Sequence, residues 1–253
     1  MNSNIDDCFM KRTSKRSSDN NDSYYLENKL SPEDYTLFNQ ILNNYDNITS
    51  SNTIMIYKEL IRQQKYEELL KRNEELIPSS IISGNSHIAN AFSRRYQDNF
   101  SFSIPSRECF EAIREFVQGN QLLDPFAGLG LFAGILQSMN VDVIATDSNE
   151  LFRNKVCFTQ VEKLDAREAI SEYPTNYLLL SWLPWSNSIG CQTLGRFSGE
   201  YLIYFGEMKY GCCATNNFFD LLEEEFTFLQ EIPIRSFSGI NDRCIFYKRS
   251  KSI

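Results

Sequence analysis

A chain of 253 residues, 42% of them hydrophobic, suffices for one sizeable α/β domain with an extension, or two small ones. Its formal net charge of −8 counts against a broad phosphate-binding surface, since neutralised phosphates supply much of the affinity for nucleic acid. The start Met1-Asn2-Ser3-Asn4 lacks the features of a secretory signal, no apolar run is long enough to span a bilayer, and seven scattered cysteines have no CxxC spacing. Reduced thiols in a cytoplasmic protein are expected, with no disulfide framework, no metal site and no membrane partner.

Residues 1–23 are rich in Ser, Asn, Asp, Lys and Arg and are expected to form a disordered tail. Its basic spot, Lys11-Arg12-Thr13-Ser14-Lys15-Arg16, serves solubility or an anionic partner. Residues 24–90 read as a helical extension and linker. Ser31-Pro32-Glu33-Asp34 is a helix start, with Ser as N-cap, Pro at the first position and acids in the first turn. Tyr35, Leu37, Phe38, Ile41 and Leu42 follow at helical spacing. A second helix is predicted from about Asn52 to Ile77, its apolar set including Ile54, Leu60, Ile61, Leu69, Leu70 and Leu76. These helices either cap the next domain or bind a protein partner. The stretch from Pro78 to Ser86 reads as a linker, and His87 beside it, the single histidine, is expected at the surface.

Residues 91–253 are expected to be the main domain. From about Gln121, strand-like and helix-like segments alternate. Leu122-Leu123 leads into Asp124 and Leu131–Met139 looks helical. Val141–Thr146 is strand-like and ends at Asp147. Val161–Leu164 is a short strand before Asp165, with a helix over Arg167–Glu172. Tyr177–Trp182 and Tyr201–Phe205 are apolar runs suited to central parallel strands. After a helix over Asn217–Glu224, Phe226–Ile232 and Arg243–Lys248 are separated by a short loop, as an antiparallel edge pair would be. The tally predicts a Rossmann-like three-layer α/β sandwich with a seven-stranded, mostly parallel sheet.

The most informative stretch is Leu122-Leu123-Asp124-Pro125-Phe126-Ala127-Gly128-Leu129-Gly130. Glycines after a strand let backbone approach a ligand, and the following helix start offers unpaired N–H groups. Asp147 ends the next strand, where an acid accepts hydrogen bonds from ribose hydroxyls; Asp165, before Ala166-Arg167, stands where a carboxylate accepts from an adenine amino group. Gly128-x-Gly130-x-x-x-Gly134 also superficially fits a dinucleotide fingerprint, which leaves a nicotinamide-dependent oxidoreductase as a rival. Asp124 weighs against it: a carboxylate there repels a pyrophosphate but suits the ammonium of a methionine moiety.

Asp124-Pro-Phe-Ala-Gly-x-Gly130 resembles the first motif of class I S-adenosylmethionine-dependent methyltransferases, and Asp147 and Asp165 resemble their second and third. The resemblance implies a seven-stranded sheet whose last two strands form an antiparallel edge, with S-adenosylmethionine as methyl donor. It sets Asp124, Gly128 and Gly130 toward the methionine part, Asp147 at the ribose and Asp165 near the adenine, with Phe126, Ala127, Ser148, Ala166 and Ser181 as further donor-binding candidates. Arg95-Tyr96, Phe102-Ser-Ile-Pro-Ser106, Gly206-Glu207, Gly211-Cys212, Phe218-Phe219 and Gly239-Ile-Asn-Asp-Arg243 resemble segments of a little-characterised methyltransferase-like group. That likeness covers about residues 94–249 and carries no acceptor with it.

Ser181-Trp182-Leu183-Pro184-Trp185 resembles the end of the (Asn/Asp/Ser)-Pro-Pro-(Tyr/Phe/Trp) segment of amino-methylating enzymes. Trp182 stands where the polar residue belongs, and Leu183 replaces the first proline. Candidate catalytic residues are therefore Trp182, Pro184, Trp185 and Glu207, the last following the fifth strand as a base, a cation-binding group or a cap. Cys212-Cys213 is expected to pack. Tyr96, Phe102 and Pro105 either form a flap over the methionine end or pack the helical cap. Two functions are carried forward: a methyltransferase acting on a small molecule, protein or nucleic acid, and a catalytically inactive methyltransferase-like scaffold.

Overall fold

The computed structural model describes residues 31–33, 35–36, 39–40, 51–77, 82, 86–148, 155–185 and 188–250. The tail expected over residues 1–23 lies outside them, as do most of the linker and the side chain of His87. Residues 32–33, 35–36 and 39–40 are helical, in keeping with the helix start at Ser31. Helices α1 (Ser51–Arg62) and α2 (Tyr66–Leu76) then occupy the span expected to be one helix. The chain turns at Gln64, whose φ is +56°, and Lys65 N–H donates to the Leu60 carbonyl. The run Arg62-Gln63-Gln64-Lys65 has no apolar residue to continue the buried stripe. Breaking there lets both helices pack on the same neighbour.

Helices α3 (Ser86–Asn99) and α4 (Arg107–Val117) follow; α3 runs across the expected boundary between residues 90 and 91. Ser106 caps α4 by accepting from Cys109 N–H, and Cys109, Phe110, Ile113 and Val117 form its buried stripe. The alternating part then runs β1 (Leu122–Asp124), α5 (Leu131–Ser138), β2 (Val143–Asp147), β3 (Glu162–Lys163), α6 (Ala166–Glu172), β4 (Tyr177–Ser181), α7 (Ile189–Arg196), β5 (Tyr201–Gly206), α8 (Asn216–Glu225), β6 (Phe226–Ile232) and β7 (Arg243–Arg249).

The seven strands form one sheet in the order β3-β2-β1-β4-β5-β7-β6. The first five are parallel, and β7 pairs antiparallel with both β5 and β6. Central β4 and β5 are buried almost throughout, which explains their uninterrupted apolar sequence. Helices α6, α7 and α8 pack in succession, while α1, α2 and α4 pack on α5, giving the two helical layers. This is the class I S-adenosylmethionine-dependent methyltransferase fold, preceded by helices.

The leading helices share the core of the sheet. Tyr57, Leu69, Leu70, Phe92, Tyr96 and Phe100 belong to the same buried cluster as Leu178–Leu180 and Leu202–Phe205. Rings of Tyr57, Phe100 and Phe158 meet at 5.5–5.7 Å, tying α1 and the residue that follows α3 to the segment before β3. Among the described residues no helix is long and apolar enough to cross a membrane.

Candidate functional site

Pairing of Leu123 with Ile144 and Leu178 sets the carboxyl ends of β1, β2 and β4 side by side. Asp147 pairs with Lys163 of β3, and Asp165 follows two residues later. The three predicted acids therefore leave the same edge of the sheet, where open α/β folds bind ligands.

Asp124 is 1% exposed. Its Oδ1 accepts from Phe126 N–H at 3.3 Å, while Oδ2 is buried without a hydrogen-bond partner. Burial pushes its carboxyl up to about 8; the Phe126 N–H works against that shift and the charge of Asp147 adds to it. A buried acid left half-satisfied costs stability, and an acid so shifted at the ligand-binding edge of an open sheet marks a candidate functional site.

The loop after β1 is fixed from β2. Ala127 N–H donates to the Thr146 carbonyl at 3.0 Å, and Gly128 N–H donates to Asp147 Oδ2 at 2.9 Å. Gly128 and Gly130 have φ of +57° and +76°, in the left-handed region that favours glycine. A Cβ on Gly130 would also lie 2.6 Å from Val161 Cγ2. Gly134, the third glycine of the dinucleotide-like pattern, faces Ile61 of α1, whose Cδ1 would lie 2.6 Å from an added Cβ. Close helix packing accounts for that glycine.

Asp165 caps α6 by accepting from Arg167 N–H at 2.9 Å, and its two oxygens also accept from Arg167 Nε at 2.7 Å and Nη2 at 2.9 Å. Hydrogen bonding to Arg167 holds its carboxyl below the usual carboxylate range. Ser148 is exposed and Ala166 buried.

Beyond Ser181, Trp182 adopts φ of +47°, and its N–H donates to the Phe205 carbonyl. Its ring turns into the protein, 5.3 Å from a stacked Phe102, and Nε1 donates to Asp242 Oδ1 at 2.9 Å. Pro184 and Trp185 are half-buried. Glu207 is also buried, and its two carboxylate oxygens accept backbone N–H groups from Cys212 at 2.7 Å and Asn241 at 2.9 Å. Gly211 belongs to this clasp, since a Cβ there would fall 2.6 Å from Glu207 Cβ. Cys213 is buried and its sulfur accepts from Glu207 N–H. Tyr96, wholly buried, takes the packing alternative: its hydroxyl donates to Asn73 Oδ1 and its ring lies against Phe100 and Phe237.

Sequence reasoning gave no role to Asp242 or to the bond it makes with Trp182. The signal was present in the Gly239-Ile-Asn-Asp-Arg243 segment, but a partner sixty positions away leaves no periodic trace. Among the described residues no group of His, Cys, Asp and Glu could hold a metal ion.

No family model matches the chain, and no curated protein matches it. Among solved structures, it is similar to the N-methyltransferase NodS from Bradyrhizobium japonicum WM9 in complex with S-adenosyl-L-homocysteine. Identity is 10%, with 74% of this chain and 99% of that one covered and a TM-score of 0.46. TehB from Haemophilus influenzae gives 13% identity over 61% of this chain and 66% of its own, with a TM-score of 0.43. The Burkholderia thailandensis 1,6-didemethyltoxoflavin-N1-methyltransferase, with bound 1,6-didemethyltoxoflavin and S-adenosylhomocysteine, gives 15% over 57% and 78%, with a TM-score of 0.42. The fold of this chain rests on its own strand order.

Proposed function

We propose that this protein is an S-adenosylmethionine-dependent methyltransferase. The observation that carries the reading is Asp124: a buried carboxyl with one oxygen unpartnered, beside a glycine loop at the sheet's carboxyl edge. An ammonium group meets that need, and a pyrophosphate does not. In this reading Asp124, Phe126, Ala127, Gly128 and Gly130 hold the methionine part of the donor. Asp147 and Ser148 hold the ribose, Asp165 and Ala166 border the adenine, and Ser181 floors the site. Trp182, Pro184, Trp185 and Glu207 shape the acceptor side, Glu207 by holding two loops together. The donor supplies an already activated sulfonium methyl, so the residues need only orient the reactants and exclude water. The free cysteines among the described residues fit a reducing, cytoplasmic setting.

A scaffold without activity is the second reading, favoured by the indole of Trp182 being tied to Asp242 where an amine acceptor was expected. Calorimetric titration with S-adenosylmethionine, S-adenosylhomocysteine and NADH tests the donor assignment. Binding of the two methionine derivatives is expected, and binding of NADH alone refutes it. Incubation of cell extract with radiolabelled donor then separates enzyme from scaffold.

A further inference from the structure

A groove of about 730 Å³ opens between the loop after β5 and the loop joining β6 to β7. Its size suits a metabolite-sized ligand. Tyr210, Ile234, Ile240, Asp242 and Arg243 are among its walls, and the Glu207 clasp fixes its two rims to each other. Tyr210, on the groove wall, has φ of +72° without being glycine, a cost that persists at sites where geometry matters more than stability. Tyr210 is 70% exposed; the Lys209 ammonium lies 6.0 Å from its ring centre and leaves most of the residue open to solvent. Asp242, 7% exposed, links the groove to the end of β4 through Trp182 Nε1. The two cations of the lining are engaged in ion pairs, Lys209 with Asp220 and Arg243 with Glu231, and Glu207, Glu231 and Asp242 give the walls an acidic balance. Walls whose cations are already paired offer a phosphate little attraction.

Resting on the methyltransferase reading, we propose that this groove receives the methyl acceptor, a small planar compound bearing an N–H or O–H group and no phosphate. Its ring stacks on Tyr210 and its N–H or O–H donates to Asp242. Trp182 is then a positioning residue, aiming Asp242 in place of the missing polar residue of β4.

Saturation-difference NMR without donor provides the first test, using 2-aminobenzimidazole and 4-hydroxyquinoline as probes and adenosine 5′-monophosphate as the phosphate-bearing counterpart. The two planar probes should bind, and binding should fall at least fivefold in Tyr210→Ala and in Asp242→Asn, which keeps an oxygen for the indole. The second test incubates cell extract with radiolabelled S-adenosylmethionine and separates small molecules, protein and RNA. Label is expected among the small molecules and should drop at least tenfold in Tyr210→Ala, with donor affinity unchanged. Label in RNA or protein, or probes bound equally by the variants, overturns the proposal. If donor fails to bind while the probes bind in a Tyr210-dependent way, the methyltransferase reading falls and the groove stands as a ligand site.

Discussion

Asp124 offers the sharpest residue-scale test. In the unfolded chain its carboxyl titrates near the ordinary value of about 4; in the fold burial pushes it up to about 8. Below that window both states hold the proton. As pH rises through it, the unfolded chain releases the proton first, so the acid progressively destabilises the fold and its effect levels off above about 8. Asp124→Asn should therefore gain stability over wild type across that window, read from urea midpoints at pH 4.5 and 8. A constant difference between the two pH values refutes the shift. Ligand binding reverses the logic: an ammonium set against Asp124 favours the charged form, so titration of S-adenosylhomocysteine at pH 7 should release protons. The binding heat should then differ between phosphate and Tris buffers, and the difference should vanish in Asp124→Asn. Asp147→Ala should weaken the same ligand by about 1–3 kcal/mol through unpaired ribose hydroxyls; equal affinity in calorimetry excludes Asp147 from the ribose.

The turn from β1 into α5 shows how one element depends on a distant one. Gly130 must reach φ of +76° and also clear Val161, which stands immediately before β3 and is distant from the glycine in sequence. An alanine there is expected to cost about 1–2 kcal/mol for the left-handed backbone alone, with the clash added. Urea denaturation of Gly130→Ala, Val161→Ala and the pair should show favourable coupling, because shortening Val161 removes the clash and leaves the backbone term. Strict additivity would mean the two positions do not touch. Some elements were open to sequence reading and some were not. The runs Tyr177–Leu180 and Tyr201–Phe205 announce themselves because strands buried on both faces need apolar residues at every position. Helix α4 went unread although Ser106 and the spacing of Cys109, Phe110, Ile113 and Val117 were signal enough. Helix α7 offered only Leu194 and small residues to bury, too weak a stripe to distinguish from loop.

For the whole molecule, the leading helices are part of one core, and stability should behave accordingly. Leu69 of α2 is fully buried, and Leu69→Ala should cost about 2–5 kcal/mol. The only tryptophans of the chain, Trp182 and Trp185, lie at the end of β4. Their fluorescence therefore reports the sheet, and its unfolding midpoint should fall together with the far-ultraviolet helix signal in Leu69→Ala. A tryptophan transition left at its wild-type midpoint would make the helices a separate folding unit.

The sequence by itself determined the alternation of strands and helices, the antiparallel last pair and the three acids at strand ends, because each of these is local: a run, a period or a residue beside a turn. Only the tertiary structure decided what the acids and aromatics touch. Asp165 spends its oxygens on Arg167, Gly134 answers to Ile61, Trp182 turns inward to Asp242, and Glu207 joins loops 34 residues apart. Contacts at such separations depend on which strands become neighbours, and the order β3-β2-β1-β4-β5-β7-β6 is set by packing of the whole chain.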